Sequence, residues 1–143
     1  INAALGDGPV PISGNQAALH RLFLLLLDNA VKYSRDGGEV RLTLDRAGAR
    51  FAVAIQDFGE GIAEADLPHI FKRFYRTGRA GGGGHGHGLG LSLAQSIVRA
   101  HGGEIQVDSQ EGEGSTFRVL FASRDVGGLP ESAALHRAGG ANL

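Results

Sequence analysis

Residues 22 to 34 read LFLLLLDNAVKYS, an apolar run that ends in polar and charged residues. Around this run apolar residues recur at steps of three and four, which is typical of a helix that packs on a sheet. The members of this stripe are Leu19, Leu22, Phe23, Leu26, Leu27 and Ala30. Asn15 is the predicted N-cap, and residues 36 to 38 (Asp-Gly-Gly) are predicted to stop the helix. Asn29, Lys32 and Tyr33 therefore share its last turns.

The composition limits the class of protein. A chain of 143 residues, of which 42% are hydrophobic, can bury one substantial core. The formal net charge of -1 predicts no general attraction to nucleic acid or to an anionic membrane, so a phosphate ligand would have to be held locally. The absence of Cys excludes disulfides, thiolate metal sites and cysteine nucleophiles.

No segment of the sequence predicts membrane insertion or export. The longest apolar run, residues 22 to 27, is too short to cross a bilayer, and nothing near Ile1 resembles a signal segment. We therefore expect a soluble chain with no membrane contact. Because it contains no Met and begins at Ile1, we also expect it to be a piece of something longer.

Alternating patterns predict two hairpins. Residues 40–44 and 51–55 alternate apolar and polar side chains on either side of an Ala-Gly-Ala turn. Residues 105–107 and 117–121 are predicted strands joined by a glycine-rich turn. Residues 10–12 (Val-Pro-Ile) are predicted to be a short extended segment. The sheet is therefore expected to carry helices on it.

Two further segments have helical patterns. Residues 89–100 carry apolar residues at helical spacing, and His101-Gly102-Gly103 supplies C-cap chemistry. Residues 62–76 are predicted to be helical but interrupted, because Pro68 would start a new short helix.

Two segments are predicted to be poorly packed. Residues 78–88 contain seven glycines in eleven positions and almost no apolar side chains, a composition expected to be mobile. Residues 123–143 are rich in Gly, Ala and Ser, and we interpret them as a poorly ordered tail or linker. The predicted domain therefore covers residues 1–122.

Asp57 stands at the end of the second alternating strand. A buried carboxylate is costly without a partner, and the exocyclic amine of adenine would be such a partner. Gly59 and Gly61 follow it, although an isolated Asp-x-Gly-x-Gly is more often a plain turn. Ile62 would add an apolar wall for a flat base.

Residues 86–91 read GHGLGL. A Rossmann interpretation would need a strand before the glycines, and none is predicted there. The motif is better explained as a hinged lid whose last amides and helix N-terminus face a triphosphate. Arg73, Arg76 and Arg79 could add positive charge, although exposed arginines are more often only solvated.

The sequence predicts a magnesium site and no zinc site. An Asn29 side-chain oxygen is a hard ligand of the kind that Mg²⁺ prefers. His85 and His87 lie two residues apart, which more often reflects loop composition than a metal site. The other histidines show no ligand spacing, and no Ser-His-Asp arrangement is readable. Taken together, the helix amide, the strand-end carboxylate and the glycines predict an ATP pocket.

With these motifs placed, roughly residues 5 to 122 resemble the catalytic, ATP-binding domain of bacterial sensor histidine kinases. This family belongs to the Bergerat superfamily, which includes gyrase, heat-shock chaperone and mismatch-repair ATPases. The matching motifs are the N box (26–34), the first glycine box (57–62), the F box (70–76), the second glycine box (86–91) and a closing glycine-threonine segment (112–117). The fold that this resemblance implies is a two-layer α/β (α+β) sandwich. A mixed sheet of about five strands would carry about three helices on one face, with a mobile ATP lid.

The resemblance also implies roles for individual residues. Asn29 would bind Mg²⁺ and Lys32 a phosphate, and these two are the predicted catalytic residues. Thr116 would support the base through water, and two phenylalanines of the F box would anchor the lid. The full set of implied nucleotide-binding residues is Asn29, Lys32, Tyr33, Asp57, Gly59, Gly61, Ile62, Phe71, Phe74, Arg76, Gly86, Gly88, Leu89, Gly90, Leu91 and Thr116.

The activity that the resemblance implies is transfer of the ATP γ-phosphoryl group to a histidine on a separate, upstream dimerisation domain of the same parent. The phosphoryl group would then pass to an aspartate of a response regulator. ATP and Mg²⁺ are the implied cofactors. The location would be cytoplasmic, and the parent could be anchored in the inner membrane.

One position departs from the family pattern. Leu25 stands where the family usually has a second Asn and where the ATP-hydrolysing relatives have a general-base Glu, one helical turn before Asn29. A leucine neither coordinates magnesium nor activates water, so efficient ATP hydrolysis is not expected. Two alternatives stay open: a degenerate module that binds nucleotide without transfer, and a serine kinase of the anti-sigma-factor type.

Overall fold

The structure is a computed structural model that describes residues 1–6, 10–77 and 87–123. The predictions for the lid segment before His87, which include Arg79, His85 and Gly86, and for the tail after Ser123 lie outside the described residues. The elements in chain order are β1 (Asn2–Leu5), α1 (Gln16–Tyr33), β2 (Val40–Ala47), β3 (Arg50–Asp57), a 3₁₀ helix (Leu67–His69), α2 (Gly90–Ala100), β4 (Glu104–Gln110) and β5 (Gly114–Ala122).

A five-stranded mixed sheet in the order β1-β2-β3-β5-β4 confirms the predicted sheet. β1 runs parallel to β2, and every other neighbouring pair is antiparallel. Both predicted hairpins are present, and the second is longer than predicted. The edge strand β1 was not predicted, because all of its side chains are exposed and leave no alternating pattern. The predicted extended segment at residues 10–12 lies outside every described strand.

The long helix α1 forms where its apolar stripe predicted it. Asn15 is the N-cap, and its Oδ1 accepts a hydrogen bond from the backbone N–H of Ala18 at 2.9 Å. Leu22 and Leu26 are completely buried. The helix ends at Tyr33, before the Asp-Gly-Gly segment that was predicted to stop it.

The helix α2 begins at Gly90 and closes as predicted. Gly102 has a φ of 66°, and the N–H of Gly103 donates to the Val98 carbonyl at 2.9 Å, a left-handed helix ending. α1 packs on β3, α2 packs on β4, and the two helices contact each other on the same face of the sheet. None of the described helices is both long and apolar enough to span a bilayer.

The predicted third helix is much shorter than expected. Among the described residues, the segment 62–76 contains one 3₁₀ helix, Leu67–His69, with Pro68 in its first turn. Its backbone bonds mostly span three residues, as in His69 N–H to Asp66 and Lys72 N–H to His69. Because Pro68 has no N–H to donate, a continuous α-helix is disfavoured there.

The register of the sheet decides which side chains face the helices. Ile55 lies between Leu42 and Phe117, in a row on the helix-facing side. Two residues further along β3, Asp57 lies between Val40 and Ser115 in the next row. Because side chains alternate along a strand, Asp57 must face the same side as the core residue Ile55. The carboxylate therefore stands at the end of the hydrophobic core, beneath the helices.

Candidate functional site

A cavity of about 520 Å³ lies between the C-terminal half of α1, the end of β3 and the start of α2. It brings together side chains from segments far apart in sequence. Ten residues that the sequence predicted for the site line it: Asn29, Lys32, Tyr33, Asp57, Gly61, Ile62, Arg76, Gly88, Gly90 and Leu91. The N box, both glycine boxes and the end of the F box thus contribute to one cavity.

The wall formed by α1 presents residues at helical spacing. Leu25, Asn29 and Lys32 line the cavity one turn after another, as steps of three and four on one helix face require. Asn29 is half-buried, whereas Tyr33 is exposed on 41% of its surface. The Lys32 Nζ lies 5.2 Å from the centre of the Tyr33 ring. An amide, an ammonium and an aromatic ring are therefore available to one ligand, with the apolar Leu25 beside the amide.

The carboxylate of Asp57 is only 2% exposed. Its Oδ1 accepts a hydrogen bond from the backbone N–H of Gly59 at 3.0 Å. Burial raises the pKa of Asp57, and backbone hydrogen bonds, from Gly59 first and from Ser115, oppose part of that rise. A carboxylate has about four acceptor positions, so Asp57 has capacity left for a donor on a bound ligand.

The glycines after Asp57 are required by packing. A Cβ on Gly59 would overlap the carbonyl oxygen of Tyr33 at the end of α1. Gly61 has a φ of 67°, and a Cβ there would overlap the carbonyl oxygen of Gln110. Only glycine allows this close approach and this backbone conformation. Gly61 lines the cavity, whereas Gly59 supports it through its N–H.

The first residues of α2 close another side of the cavity. Gly88, Gly90 and Leu91 line it, so the N-terminal end of the helix reaches the space. The carbonyl of Gly88 accepts a hydrogen bond from the backbone N–H of Phe74 at 2.9 Å, which ties this entry to the F box. Free backbone N–H groups at a helix start attract anions. This wall can therefore receive a phosphate group.

Several predicted residues do not line the cavity. The ring of Phe71 packs edge-on against Phe117 in the core, with ring centres 6.5 Å apart. The side chain of Phe74 is 72% exposed, and that of Leu89 is 41% exposed. Phe71 and Phe74 therefore do not contact the space directly, although the Phe74 backbone holds Gly88.

Thr116, which was predicted to support the base, does not line the cavity. Thr116 pairs with Gln56 and Asp108, so its side chain points to the sheet face opposite Asp57. Ser115 is the residue opposite Asp57, and it lines the cavity. The sequence contained a signal for Ser115. Side chains alternate along a strand, and the apolar Phe117, two residues after Ser115, marks the face that points into the core.

The sequence did not predict the hydrogen bond between Tyr75 and Asp66. The Tyr75 hydroxyl donates to the Asp66 carboxylate at 2.5 Å, and this bond raises the pKa of Tyr75. Both side chains line the cavity. Because the two residues lie on irregular backbone around the 3₁₀ helix, no periodicity in the sequence indicates that they meet.

Further lining residues were also missed, and most come from loops or are acidic. They are Leu25, Asp28, Glu60, Ala63, Asp66, Ile70, Tyr75, Thr77, His87, Glu111 and Ser115. Six of them lie inside the predicted motifs without having been named as site residues: Asp28, Glu60, Ile70, Tyr75, His87 and Ser115. The space is therefore not a strongly basic pocket. Within residues 1–6, 10–77 and 87–123, no group of three or more His, Cys, Asp or Glu side chains is arranged to hold a metal ion.

The donor set nevertheless fits Mg²⁺ held jointly with a phosphate ligand. Mg²⁺ commonly keeps several waters and takes one or two protein oxygens together with substrate phosphates. Asn29 offers one such oxygen in the cavity, and Asp28 beside it also lines the space. A cage made only of protein ligands is not needed for this kind of site.

Comparisons with known proteins agree with this arrangement. Residues 14–125 match the family described as "Histidine kinase-, DNA gyrase B-, and HSP90-like ATPase". The alginate biosynthesis sensor protein KinB of Pseudomonas aeruginosa is 39% identical over 121 residues, which are 85% of this chain and 20% of KinB. The chain spans between 20% and 26% of the length of the first curated relatives it matches.

Solved structures show the same fold. The mycobacterial sensor histidine kinase MprB superimposes with a TM-score of 0.74 at 29% identity, covering 86% of this chain and 80% of that one. Full-length ShkA in complex with AMPPNP superimposes with a TM-score of 0.71 at 29% identity, covering 85% of this chain and 25% of ShkA. The family match covers more than half of the chain, and its motifs line one cavity. The chain therefore belongs to the histidine kinase-, DNA gyrase B- and HSP90-like ATPase family.

Proposed function

We propose that this chain is the ATP-binding catalytic domain of a two-component sensor histidine kinase. The observation that carries the proposal is that Asn29, Lys32 and Asp57 line one cavity, although they come from a helix and from a strand end. Its relatives are named sensor proteins or sensor histidine kinases, and ShkA was solved with AMPPNP, an ATP analogue. In the parent, the acceptor histidine would lie on an upstream dimerisation domain, and a response regulator would receive the phosphoryl group.

Each proposed role follows from the chemistry of the side chain. Asp57 would accept a hydrogen bond from the adenine amine, Ile62 would contact the base, and Ser115 would take the place first assigned to Thr116. Lys32 would contact a phosphate, and the N-terminal end of α2 would stabilise phosphate charge. Mg²⁺ held by Asn29 would neutralise negative charge on the phosphate oxygens. The catalytic work of the chain would be positioning and electrostatic stabilisation of the reacting group.

The environment of Asn29 favours transfer over hydrolysis. The apolar Leu25 lies one turn before Asn29 in the same cavity wall, where no general base is available from that position. Activation of a water molecule there would therefore be inefficient. A domain of this kind would hold ATP until an acceptor histidine arrives. We also propose a cytoplasmic location for this part of the parent, where ATP is available.

Nucleotide binding is tested by titrating the chain with a non-hydrolysable ATP analogue and Mg²⁺ in a calorimeter. Saturable binding is expected, and the matching GTP analogue should bind more weakly because guanine has a carbonyl oxygen where adenine has its amine. No saturable binding, or equal affinity for both analogues, would contradict the proposed pocket.

A second candidate function is a nucleotide-binding module without transfer, and Leu25 is the observation that favours it. An experiment with the parent protein, including its upstream helical domain, distinguishes the two functions. The parent is incubated with radiolabelled ATP, and the label is then located. Label on a histidine supports the kinase, whereas bound ATP without transfer supports the module. If Leu25 is the defect in the second case, Leu25→Asn should restore labelling.

A further inference from the structure

Arg35 makes a contact that joins two distant parts of the fold. It follows the helix cap Ser34, and its guanidinium donates a hydrogen bond to the backbone carbonyl of Gly112 at 2.6 Å. Gly112 belongs to the turn between β4 and β5, so the bond crosses 77 positions of sequence. Arg35 itself does not line the cavity.

The turn that Arg35 holds belongs to a closed set of contacts. The N–H of Gly112 donates to the Glu60 carbonyl at 2.7 Å, and the N–H of Glu60 donates to the Tyr33 carbonyl at 3.3 Å. Tyr33 ends α1 two residues before Arg35. The helix end, the loop after Asp57 and the β4–β5 turn are thereby linked in a ring through their backbones and one side chain.

This ring frames one end of the cavity. Tyr33, Glu60, Gly61 and Glu111 all line the space and belong to the three segments that it joins. A second contact supports the same region, since the N–H of Ile62 donates to the Ser109 Oγ at 2.8 Å. In this ring Arg35 contributes a side-chain hydrogen bond, whereas the bonds from Gly112 to Glu60 and from Glu60 to Tyr33 join backbone groups.

We propose that Arg35 is a positioning residue for nucleotide binding. It holds the β4–β5 turn and the Asp57–Ile62 loop at the spacing that the base requires, without touching the ligand. This inference rests on the proposed function, because it assigns the framed end of the cavity to the base. Loss of the bond removes the link between the turn and the end of α1 that Arg35 provides, so the width of this wall is less fixed before the nucleotide binds.

An arginine suits this role better than a lysine. The guanidinium is planar, stays charged and carries five N–H donors, and a hydrogen bond from a charged donor is stronger than one between neutral groups. A lysine at position 35 can offer one donor to the Gly112 carbonyl from a more flexible stem. Partial rescue by Arg35→Lys is therefore expected, whereas Arg35→Ala removes the contact.

The test compares Arg35→Ala and Arg35→Lys with Arg50→Ala as a matched control. Arg50 is also an exposed arginine with one polar contact, to Glu104 at 3.4 Å, and it lies at the far end of β3 from Asp57. With the ATP analogue and Mg²⁺, Arg35→Ala should raise the Kd about 3- to 10-fold, as expected for the loss of one exposed hydrogen bond that acts on the ligand only through the turn. Arg35→Lys should lie in between, and Arg50→Ala should match the wild type.

Two further readouts separate positioning from general destabilisation. In the chain without nucleotide, hydrogen exchange at the Gly112 amide should accelerate in Arg35→Ala while the amides of the α2 interior keep their protection. In the parent kinase, the KM for ATP should rise and kcat should stay unchanged. A loss of protection throughout the chain, or a fall in kcat with KM unchanged, would overturn the inference.

The outcomes distinguish this inference from the proposed function. If the wild-type chain shows no saturable binding, the proposed function fails and the inference fails with it. If the wild type binds and Arg35→Ala binds equally well, only the inference fails. A Kd for Arg35→Lys as weak as that for Arg35→Ala would also count against it, because rescue by a shorter cationic donor would be absent.

Discussion

At Asp57 a carboxylate lies almost completely buried at the end of a strand, where its Oδ1 accepts a hydrogen bond from the backbone N–H of Gly59 at 3.0 Å. Burial disfavours its charged form, which is why its pKa lies above the ordinary carboxyl value. A ligand amine that hydrogen-bonds to the charged carboxylate would offset this cost. The same residue therefore costs stability in the empty domain and contributes to binding when a nucleotide is present.

Asp57→Asn should separate these two effects. Between the ordinary carboxyl pKa of 3.8 and the raised pKa of the folded state, the native chain binds more protons than the unfolded chain. The stability contributed by Asp57 therefore falls as pH rises through that window. At neutral pH the variant should unfold at an equal or higher temperature than the wild type, while it loses affinity for the ATP analogue.

Thermal unfolding between pH 4 and pH 8 and calorimetric titration measure both parts of this prediction. The stability difference between variant and wild type should shrink toward the acidic end of the range. Asp45→Asn is the matched control, because Asp45 is an exposed carboxylate on β2. A variant that is less stable than wild type at pH 8, or that binds the analogue normally, contradicts the interpretation of Asp57.

At the scale of elements, His101 connects the two α-helices. Its Nε2 accepts a hydrogen bond from the backbone N–H of Asn15 at 3.0 Å, and its Nδ1 lies 2.7 Å from the Ile97 carbonyl oxygen. A carbonyl oxygen only accepts, so Nδ1 carries the proton and the ring is the neutral Nδ1–H tautomer. One ring thus joins the start of α1 to the end of α2.

His101→Ala removes both hydrogen bonds of this connection. The expected cost is about 1–3 kcal/mol in the free energy of unfolding, because the Asn15 N–H loses its acceptor and the ring loses its packing. Urea denaturation measures the difference. His20→Ala is the control, since His20 is an exposed position on α1, and it should change the stability by less than about 0.5 kcal/mol. Equal effects of the two substitutions would refute the connecting role.

The apolar face of α1 provides a second prediction at this scale. Leu22 is completely buried in the core, whereas Leu24 on the same helix is 52% exposed. Leu22→Ala should lower the free energy of unfolding by about 2–5 kcal/mol, because it removes buried methyl groups and leaves a cavity. Leu24→Ala should cost less than about 1 kcal/mol, since the side chain is already half in water. Denaturant titration of both variants gives the comparison, and similar losses would contradict the described packing.

At the scale of the whole molecule, the cavity forms only where both helices and the strand ends meet. Asn29 comes from α1, Asp57 from β3 and Leu91 from α2. A ligand in this space would contact all three elements at once. Binding should therefore stabilise the fold as a unit.

A saturating ATP analogue with Mg²⁺ should raise the unfolding temperature of the chain. At a free concentration of 100 times the Kd, the stabilisation is about 2.7 kcal/mol for a ligand that binds only the folded state. Differential scanning calorimetry measures this shift. The Asp57→Asn variant under the same conditions should show a much smaller increase, and an equal increase in both proteins would indicate binding elsewhere.

Much of the fold was predictable from local patterns. The period of the apolar residues predicted α1, α2 and both hairpins, because a helix or strand buries one face whatever it packs against. The exposed edge strand β1 carries no such pattern, and the segment around Pro68 forms turns that no periodicity describes. For this reason β1 was not predicted, and the helical segment at residues 62–76 was predicted to be longer than the 3₁₀ helix that forms there.

By itself, the sequence determined the family and ten of the residues that line the cavity, because the spacing of the glycines, Asn29 and Asp57 along the chain can be read without knowing the fold. Tertiary structure alone decided which hydroxyl faces Asp57 and which loops close the space. Ser115 and Thr116 are neighbours of similar chemistry, and only the strand register puts Ser115 on the inner face. Contacts such as Arg35 with Gly112 and Tyr75 with Asp66 join irregular segments, whose relative positions depend on how the whole core packs.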